Sequence, residues 1–341
     1  MAGKCVDGFI AYSFFERPIL NSPYRLPGRH WELDDDGHPT NSILAHRRPS
    51  ALWTALPGAS AKSAKSQIRM VFGDDLATEA TEFNPSPMVN ELRQELETWR
   101  GLPNPAQWKV TPITQRLLQL WRAIQRDESQ TIRPFFCQIE AVEAAIWLVE
   151  VAPQMGRRGK RFLDWIVTAN NFAVTPDGDA PSAAMPDLTR IAFELATGAG
   201  KTTVMAMLIA WQTLNAVRAA NSRRFSKGFL IVTPGITIRD RLRVLLPNDD
   251  QSYYAKLNLV PHDLMPDMHR AKIVITNYHA FKLRETFDAA SGTRRALEGH
   301  GEGLQTLESE GQMIQRVMGD LMGVRDVVVI NVTCPPEAPS L

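Results

Sequence analysis

The run Leu195-Ala196-Thr197-Gly198-Ala199-Gly200-Lys201-Thr202 constrains the fold of this chain more than any other stretch. Two glycines one residue apart let the backbone turn sharply. The apolar run Ile191 to Leu195 enters the turn as an expected strand, and an expected helix, Thr202 to Leu214, leaves it. Strand, Gly-rich turn, Lys-Thr and helix in that order make a phosphate-binding loop. Glycines allow consecutive backbone N–H groups to point inward, and the helix N-terminus adds its positive dipole end. On this reading Thr197, Gly198, Ala199 and Gly200 wrap the phosphates of a nucleotide. Lys201 reaches the β- and γ-phosphates, and the Thr202 hydroxyl ligates Mg²⁺. The first position is Leu195 where the general G-x-x-x-x-G-K-[ST] pattern has Gly. The plain alternative is a strand-to-helix turn with an exposed lysine.

The sequence around this loop has the rhythm of an α/β fold. Phe229 to Val232, Ile273 to Ile275 and Val327 to Ile330 are continuous apolar runs, which suit parallel strands covered on both faces. Thr237 to Leu246 reads as a helix, with Ile238, Leu242 and Leu245 on one face and Arg239 and Arg243 on another. Strands alternating with helices predict a parallel sheet.

The region before it reads as mostly helical. Met88, Leu92, Leu96 and Trp99 fall at helical spacing behind Pro87. Ile113, Leu117, Leu120, Trp121 and Ile124 form a second stripe after Thr111-Pro112, and Phe135, Ile139, Val142, Ile146 and Val149 a third. Thr168 to Pro186 reads as a loop or linker. Residues 1 to about 80 are irregular. There Asp34-Asp35-Asp36-Gly37 is a solvated turn in preference to a cation site, and Pro57 to Ser66 is a flexible linker.

Lys and Arg number 38 and Asp and Glu 37, for a formal charge of +1, which excludes a general basic coat for nucleic acid. Any such contact is local. Cys5, Cys137 and Cys334 lie far apart with no metal or redox spacing, which points to reduced thiols and a cytoplasmic setting. The longest apolar stretch, Val204 to Trp211, is far short of a membrane span. Asp7 and Glu16 bracket the apolar stretch Gly8 to Phe15, which argues against a signal peptide.

Three further features have chemical meaning. In Arg133-Pro134-Phe135-Phe136-Cys137-Gln138, the Gln amide offers the donor and acceptor that an adenine edge needs, and an aromatic can stack on the base. A surface Gln at a helix start is the plain alternative. Thr233-Pro234-Gly235 follows the second expected strand, and Thr276-Asn277-Tyr278-His279 the third. Ligands of open α/β sheets bind at the carboxyl ends of strands, where hydroxyls and free N–H groups can hold a nucleic-acid phosphate. Ordinary loops are the alternative for both, and His279 reads as a packed or solvated histidine, not a catalytic base.

These residues resemble the first motor motifs of superfamily 2 DEAD/DEAH-box helicases, and the type III restriction enzyme Res subunit above all. Phe193 to Leu214, Ile231 to Gly235 with Arg239 to Arg243, and Ile275 to Phe281 carry the likeness. It extends from about Asn21 to Asn331 and includes Arg133 to Glu150, Asn21 to Tyr24, Arg29 to Trp31 and Arg47 to Ser50. The resemblance implies a RecA-like ATP-binding motor domain over 131–331, an N-terminal region over 1–130 and a divergent Pro-rich tail over 332–341. It implies ATP and Mg²⁺ bound by Gln138, Thr197, Gly198, Ala199, Gly200, Lys201 and Thr202, with Thr202 as the metal ligand. Double-stranded DNA is implied to meet Thr233, Pro234, Gly235, Arg239, Thr276 and Asn277. A modification (methyltransferase) subunit is the implied protein partner.

One departure stands out. In the family the strand matching Val327 to Asn331 leads into Asp-Glu-Ala-His, whose Asp holds Mg²⁺ and whose Glu orients the attacking water. Here Val332-Thr333-Cys334-Pro335-Pro336-Glu337 follows, and Glu337 has no accompanying Asp. No intact catalytic residue is therefore expected. The expectation is an N-terminal motor fragment that binds ATP and DNA and is defective in hydrolysis. The second reading is a non-catalytic nucleotide- and DNA-binding module acting through partner subunits. A third, an unrelated kinase-like phosphate loop, is disfavoured by the Thr233 and Thr276 loops.

Overall fold

In the computed structural model, which describes residues 14–51, 54–55, 82–83, 85–172, 189–286 and 306–332, the chain divides into two units, Met1–Val204 and Met205–Leu341. The expected linker Pro57 to Ser66, Cys5, Cys334 and Glu337 lie outside the described residues.

The first unit opens with an antiparallel pair, β1 (His30–Leu33) and β2 (Pro39–Leu44). The Asp34 carboxylate accepts from the N–H groups of Asp36 (3.1 Å) and His38 (2.7 Å), and Gly37 takes φ +85°. The aspartates thus build an exposed turn. A shorter pair follows, β3 (Thr54–Ala55) with β4 (Glu82–Phe83). The helices are α1 (Ser86–Arg100), α2 (Pro112–Arg126), α3 (Phe136–Ile146) and α4 (Gly156–Phe172). Thr111 caps α2 by accepting from the Thr114 N–H at 3.1 Å, and Pro112 sits in the first turn.

The three expected apolar stripes are core faces. Met88, Leu96, Trp99, Leu117, Trp121, Ile139, Val142 and Ile146 are all buried. The buried indoles of Trp99 and Trp108 donate to the carbonyls of Trp108 (2.9 Å) and Leu102 (3.1 Å), so neither N–H is orphaned. The fully buried Glu143 of α3 receives the Arg100 Nε at 2.7 Å and the Arg122 Nε at 2.8 Å. Beyond Ile146, α3 widens into a looser turn, Trp147–Val151, and then tightens over Ala152–Gln154. A Cβ on Gly159 would meet the Ala152 carbonyl oxygen at 1.8 Å, so α4 can pack against this turn only with glycine there.

Helix α4 corrects the expectation that the chain is loop from Thr168, because the helix runs to Phe172. Its start, Gly156-Arg157-Arg158-Gly159-Lys160-Arg161, is polar and glycine-broken and carries little helical pattern. Its ordering comes from elsewhere in the fold. Arg158 and Arg161 pair with Glu95 (2.5 Å) and Glu91 (2.7 Å) of α1, and Phe162 and Ile166 are buried.

The second unit holds a three-stranded parallel sheet. Helix α5 (Lys201–Arg218) crosses the division between the units. Strand β5 (Gly228–Thr233) is followed by α6 (Ile236–Arg241), α7 (Tyr253–Lys256), α8 (Met265–Met268) and β6 (Lys272–Asn277). The short pair β7 (Glu285–Thr286) and β8 (Thr306–Leu307), α9 (Glu310–Met318) and β9 (Val327–Asn331) complete it. The sheet order is β6-β5-β9, all parallel, with Gly228 opposite both Lys272 and Val327. The central β5 is almost wholly buried, as its unbroken apolar run requires, while β6 and β9 are half-exposed. Trp211 of α5 meets Phe225 edge-on at 5.9 Å, and the Gln212 side chain accepts from the Ser226 N–H at 3.0 Å. The buried Tyr254 hydroxyl donates to the Leu245 carbonyl at 2.9 Å, and burial raises its pKa well above the usual phenol value.

Two expectations about this part are corrected. The helix read over Thr237 to Leu246 ends at Arg241 and continues as a tighter turn over Leu242–Leu245. The run Ile191 to Leu195 is not a strand: it is irregular, with half-buried and exposed residues alternating. A strand exists only by pairing its backbone groups, and this run has no ladder partner among the described residues. The fold class is nonetheless α/β, a parallel sheet preceded by a largely helical region. Among the described residues no helix is long and apolar enough to cross a membrane.

Candidate functional site

Within the first unit, residues 195–203 make a tight turn into α5. The Ala199 N–H donates to the Ala196 carbonyl at 3.1 Å, and the Thr203 N–H to the Gly200 carbonyl at 2.9 Å. Gly198 and Gly200 take φ +80° and +75°, a conformation that strains any residue with a Cβ. Alternating handedness of this kind curls successive N–H groups into an anion-binding concavity. Lys201 and Thr202 occupy the first turn of α5, where N–H groups lack intrahelical acceptors. Lys201 makes no ion pair among the described residues. The loop therefore has the local geometry of a phosphate cradle without the entering strand.

Gln138 lies on this loop. Its Oε1 accepts from the Phe135 N–H at 2.9 Å, closing the start of α3. Its Nε2 donates to the Ala199 carbonyl at 2.8 Å, with a longer approach of 3.4 Å to the Gly200 carbonyl. A Cβ on Gly200 would lie 2.1 Å from that Nε2. An amide has two N–H groups and two oxygen lone pairs. Phe135, Ala199 and, more weakly, Gly200 therefore take one lone pair and both N–H groups of Gln138, leaving one lone pair that a donor such as adenine N6 could meet.

The segment before Gln138 is fixed by residues far away in sequence. The Phe136 N–H donates to the Pro23 carbonyl at 2.8 Å, the Arg133 guanidinium lies 4.0 Å from the Tyr24 ring centroid, and Tyr24 packs on Phe135 at 5.5 Å. Sequence reading placed no role on Tyr24, since no local pattern joins residue 24 to residue 133.

In the second unit, the carboxyl ends of β5 and β6 come together. Thr233 is 1% exposed and its hydroxyl donates to the carbonyls of Gly235 (3.0 Å) and Thr276 (3.3 Å). Its hydroxyl proton is thus committed within the protein. Pro234 is exposed, while Gly235, Thr276 and Asn277 are half-buried. The Asn277 carboxamide accepts from the Ala280 N–H at 3.0 Å, capping the turn Tyr278–Phe281. Arg239 turns its guanidinium onto its neighbour Asp240 at 2.9 Å. His279 is exposed and lies against the Tyr278 ring at 3.9 Å.

A second layer holds this rim, and sequence reading missed it. Arg316 of α9 donates to the carbonyls of Ala280 (3.1 Å) and Lys282 (3.2 Å) while its Nε and Nη2 both donate to Glu308 at 2.8 Å. Glu308 also accepts from the Arg284 N–H at 3.1 Å. The hydrogen bond from Arg316 holds the Glu308 carboxyl down to about 2. The only sequence trace of this arrangement is the capping box Ser309 and Gln312, which starts α9 and so aims Arg316.

Strand β9 ends at Asn331, and the Val332 N–H donates to the Val232 carbonyl at 2.9 Å. No acidic residue stands at this strand end among the described residues, and they contain no cluster of three metal-binding side chains. The curled backbone of the loop suits an anion, and Thr202 supplies a hydroxyl beside it; among the described residues no carboxylate follows Asn331.

A family model for the type III restriction enzyme, res subunit, matches residues 131–307, more than half of the 341-residue chain. The matched stretch contains Gln138, the phosphate loop and both strand-end loops. No curated protein and no solved structure matches the chain.

Proposed function

The chain belongs to the type III restriction enzyme res subunit family, a class of DEAD/DEAH-like helicase motor domain, and on that basis we propose that it binds ATP and double-stranded DNA without efficient hydrolysis. The observation that carries the nucleotide reading is Gln138 bound at 2.8 Å to the Ala199 carbonyl of the phosphate loop. That bond joins the group able to read adenine to the groups able to hold phosphates. Thr197, Gly198, Ala199 and Gly200 present backbone N–H groups to the phosphates, Lys201 adds a charge, and Thr202 contributes a hydroxyl to Mg²⁺. Bound Mg²⁺ would neutralise phosphate charge. The DNA reading rests on Pro234, Gly235, Thr276 and Asn277 at adjacent strand ends, with Thr233 organising them and Arg239 nearby. Phosphoryl transfer depends on positioning and charge stabilisation, so the lack of an Asp-Glu pair directly after Asn331 predicts negligible turnover.

A modification (methyltransferase) subunit is the protein partner proposed from the family. The missing Asp-Glu pair favours nucleotide binding as a signal to such a partner over work done by hydrolysis.

Titration calorimetry with ATP and Mg²⁺, alongside phosphate release with and without duplex DNA, tests this reading. Binding without release, abolished by Lys201→Ala, is the expected result. DNA-stimulated release that Lys201→Ala removes would overturn the hydrolysis defect, and absence of ATP binding would overturn the nucleotide site.

A further inference from the structure

The amino ends of the three parallel strands gather positive charge that makes no ion pair among the described residues. Arg223, Arg224 and Lys227 precede β5, Arg270 and Lys272 open β6, and Arg325 precedes β9. The backbone brings them to one end of the sheet. The Lys272 N–H donates to the Lys227 carbonyl at 2.7 Å, and the Ser226 hydroxyl donates to the carbonyl of Asp326. Gly228 stands opposite both Lys272 and Val327, so the three strands begin level. With neighbouring strands roughly 5 Å apart, the row spans on the order of 10 Å.

Five of the six cations are exposed and Lys227 is half-buried. None makes an ion pair among the described residues, whereas nearby Arg218 pairs with Asp267 at 2.5 Å. Asp326 is the only exposed acid in the segments that carry them. The whole chain has a formal charge of only +1, so this concentration is local.

We propose that this basic end is a second nucleic-acid contact, binding the phosphate backbone of duplex DNA without reading sequence. It lies at the end of the sheet opposite Thr233–Gly235 and Thr276–Asn277, and it stands whether or not those loops bind. Exposed, unpaired arginines and lysines match a polyanion, and phosphate contacts position a protein without specifying bases. An acidic protein partner is less suited, since specific protein interfaces have a buried apolar or aromatic centre. Here Phe225 and Leu321 are buried, and Met322 is the one large apolar side chain exposed beside the row.

The test is fluorescence anisotropy of the full chain with a labelled duplex of about 30 base pairs over a salt series. Neutralising Arg223, Arg224, Lys227, Arg270 and Lys272 to Gln should weaken binding about tenfold or more and flatten the log–log salt slope, while ATP binding stays unchanged. The milder Lys227→Gln, Lys272→Gln pair removes two phosphate contacts and should lower the slope by about 2. It keeps the test decisive if the fivefold variant folds poorly. Unchanged affinity and slope in the milder pair would overturn the proposal. If an Asn277→Ala variant alone loses DNA binding, the strand-end reading stands and this one falls; loss in the basic-end variants alone gives the reverse. Displacement of the duplex by polyglutamate at matched charge would reassign the surface to an acidic protein.

Discussion

Gln138 and Ala199 are 61 positions apart and are joined by a 2.8 Å hydrogen bond from side-chain amide to loop carbonyl. The same amide accepts from the Phe135 N–H, so the start of α3 and the phosphate loop share one side chain. Gln138→Ala should therefore lower ATP affinity about tenfold and shrink the preference for ATP over GTP. Competition binding with the two nucleotides checks both. An unchanged preference would remove Gln138 from base recognition.

Gly200→Ala places a Cβ 2.1 Å from the Gln138 Nε2 at a residue with φ +75°. Left-handed backbone with a Cβ costs about 1–2 kcal/mol. The variant should fold with a slightly lower melting temperature and lose nucleotide binding. The double variant with Gln138→Ala relieves the clash but not the backbone strain, and should recover only part of the melting temperature. Thermal unfolding with and without ATP reads both effects.

Glu143 is fully buried between Arg100 and Arg122. Glu143→Ala leaves the largely buried Arg122 guanidinium without its carboxylate and Arg100 with only the longer Glu140 contact at 3.7 Å. Breaking a buried pair from one side costs about 3–5 kcal/mol, far more than the pair adds relative to an apolar replacement. Denaturant unfolding should show a loss of this size in the first unit, while the phosphate loop's own sequence is untouched.

Arg316 holds Glu308 ionised down to about 2, below the ordinary carboxylate value of 4.5. A depressed folded-state value means that this contact stabilises the fold fully above about 4.5. The contribution falls away as pH drops from there through about 2. The Arg284 N–H, which donates to Glu308, should keep its hydrogen-exchange protection at pH 5 and lose it towards pH 2. Arg316→Ala should remove that protection at pH 5 as well and weaken DNA binding, with ATP affinity unaltered. Retained protection in the variant would show that the rim is held by other contacts.

The parts of this fold visible in the sequence are those set by local pattern. The parallel strands β5, β6 and β9 appear as unbroken apolar runs, and α1, α2 and α3 as stripes with proline and threonine at their starts. Ile191 to Leu195 shows the limit of that signal, because an apolar run says nothing about whether a partner strand is beside it. Helix α4 fails in the opposite sense: its polar start orders by pairing Arg158 and Arg161 with α1. The same division runs through the candidate site. The glycines and Lys201 are legible because loop chemistry is local. The Glu308–Arg316 pair, the Tyr24–Arg133 contact and the burial of Thr233 exist only once distant segments meet.

Thr233 also decides whether the two strand-end loops are interchangeable parts. One hydroxyl serves the Gly235 carbonyl of its own loop and the Thr276 carbonyl of the next. A chimera that imports one loop from a relative with valine at this position keeps the shape and removes the hydrogen bond that links the two loops. The natural unit of exchange is therefore the pair, residues 233–241 together with 276–284, and drift in either loop is tethered to the other by a single proton.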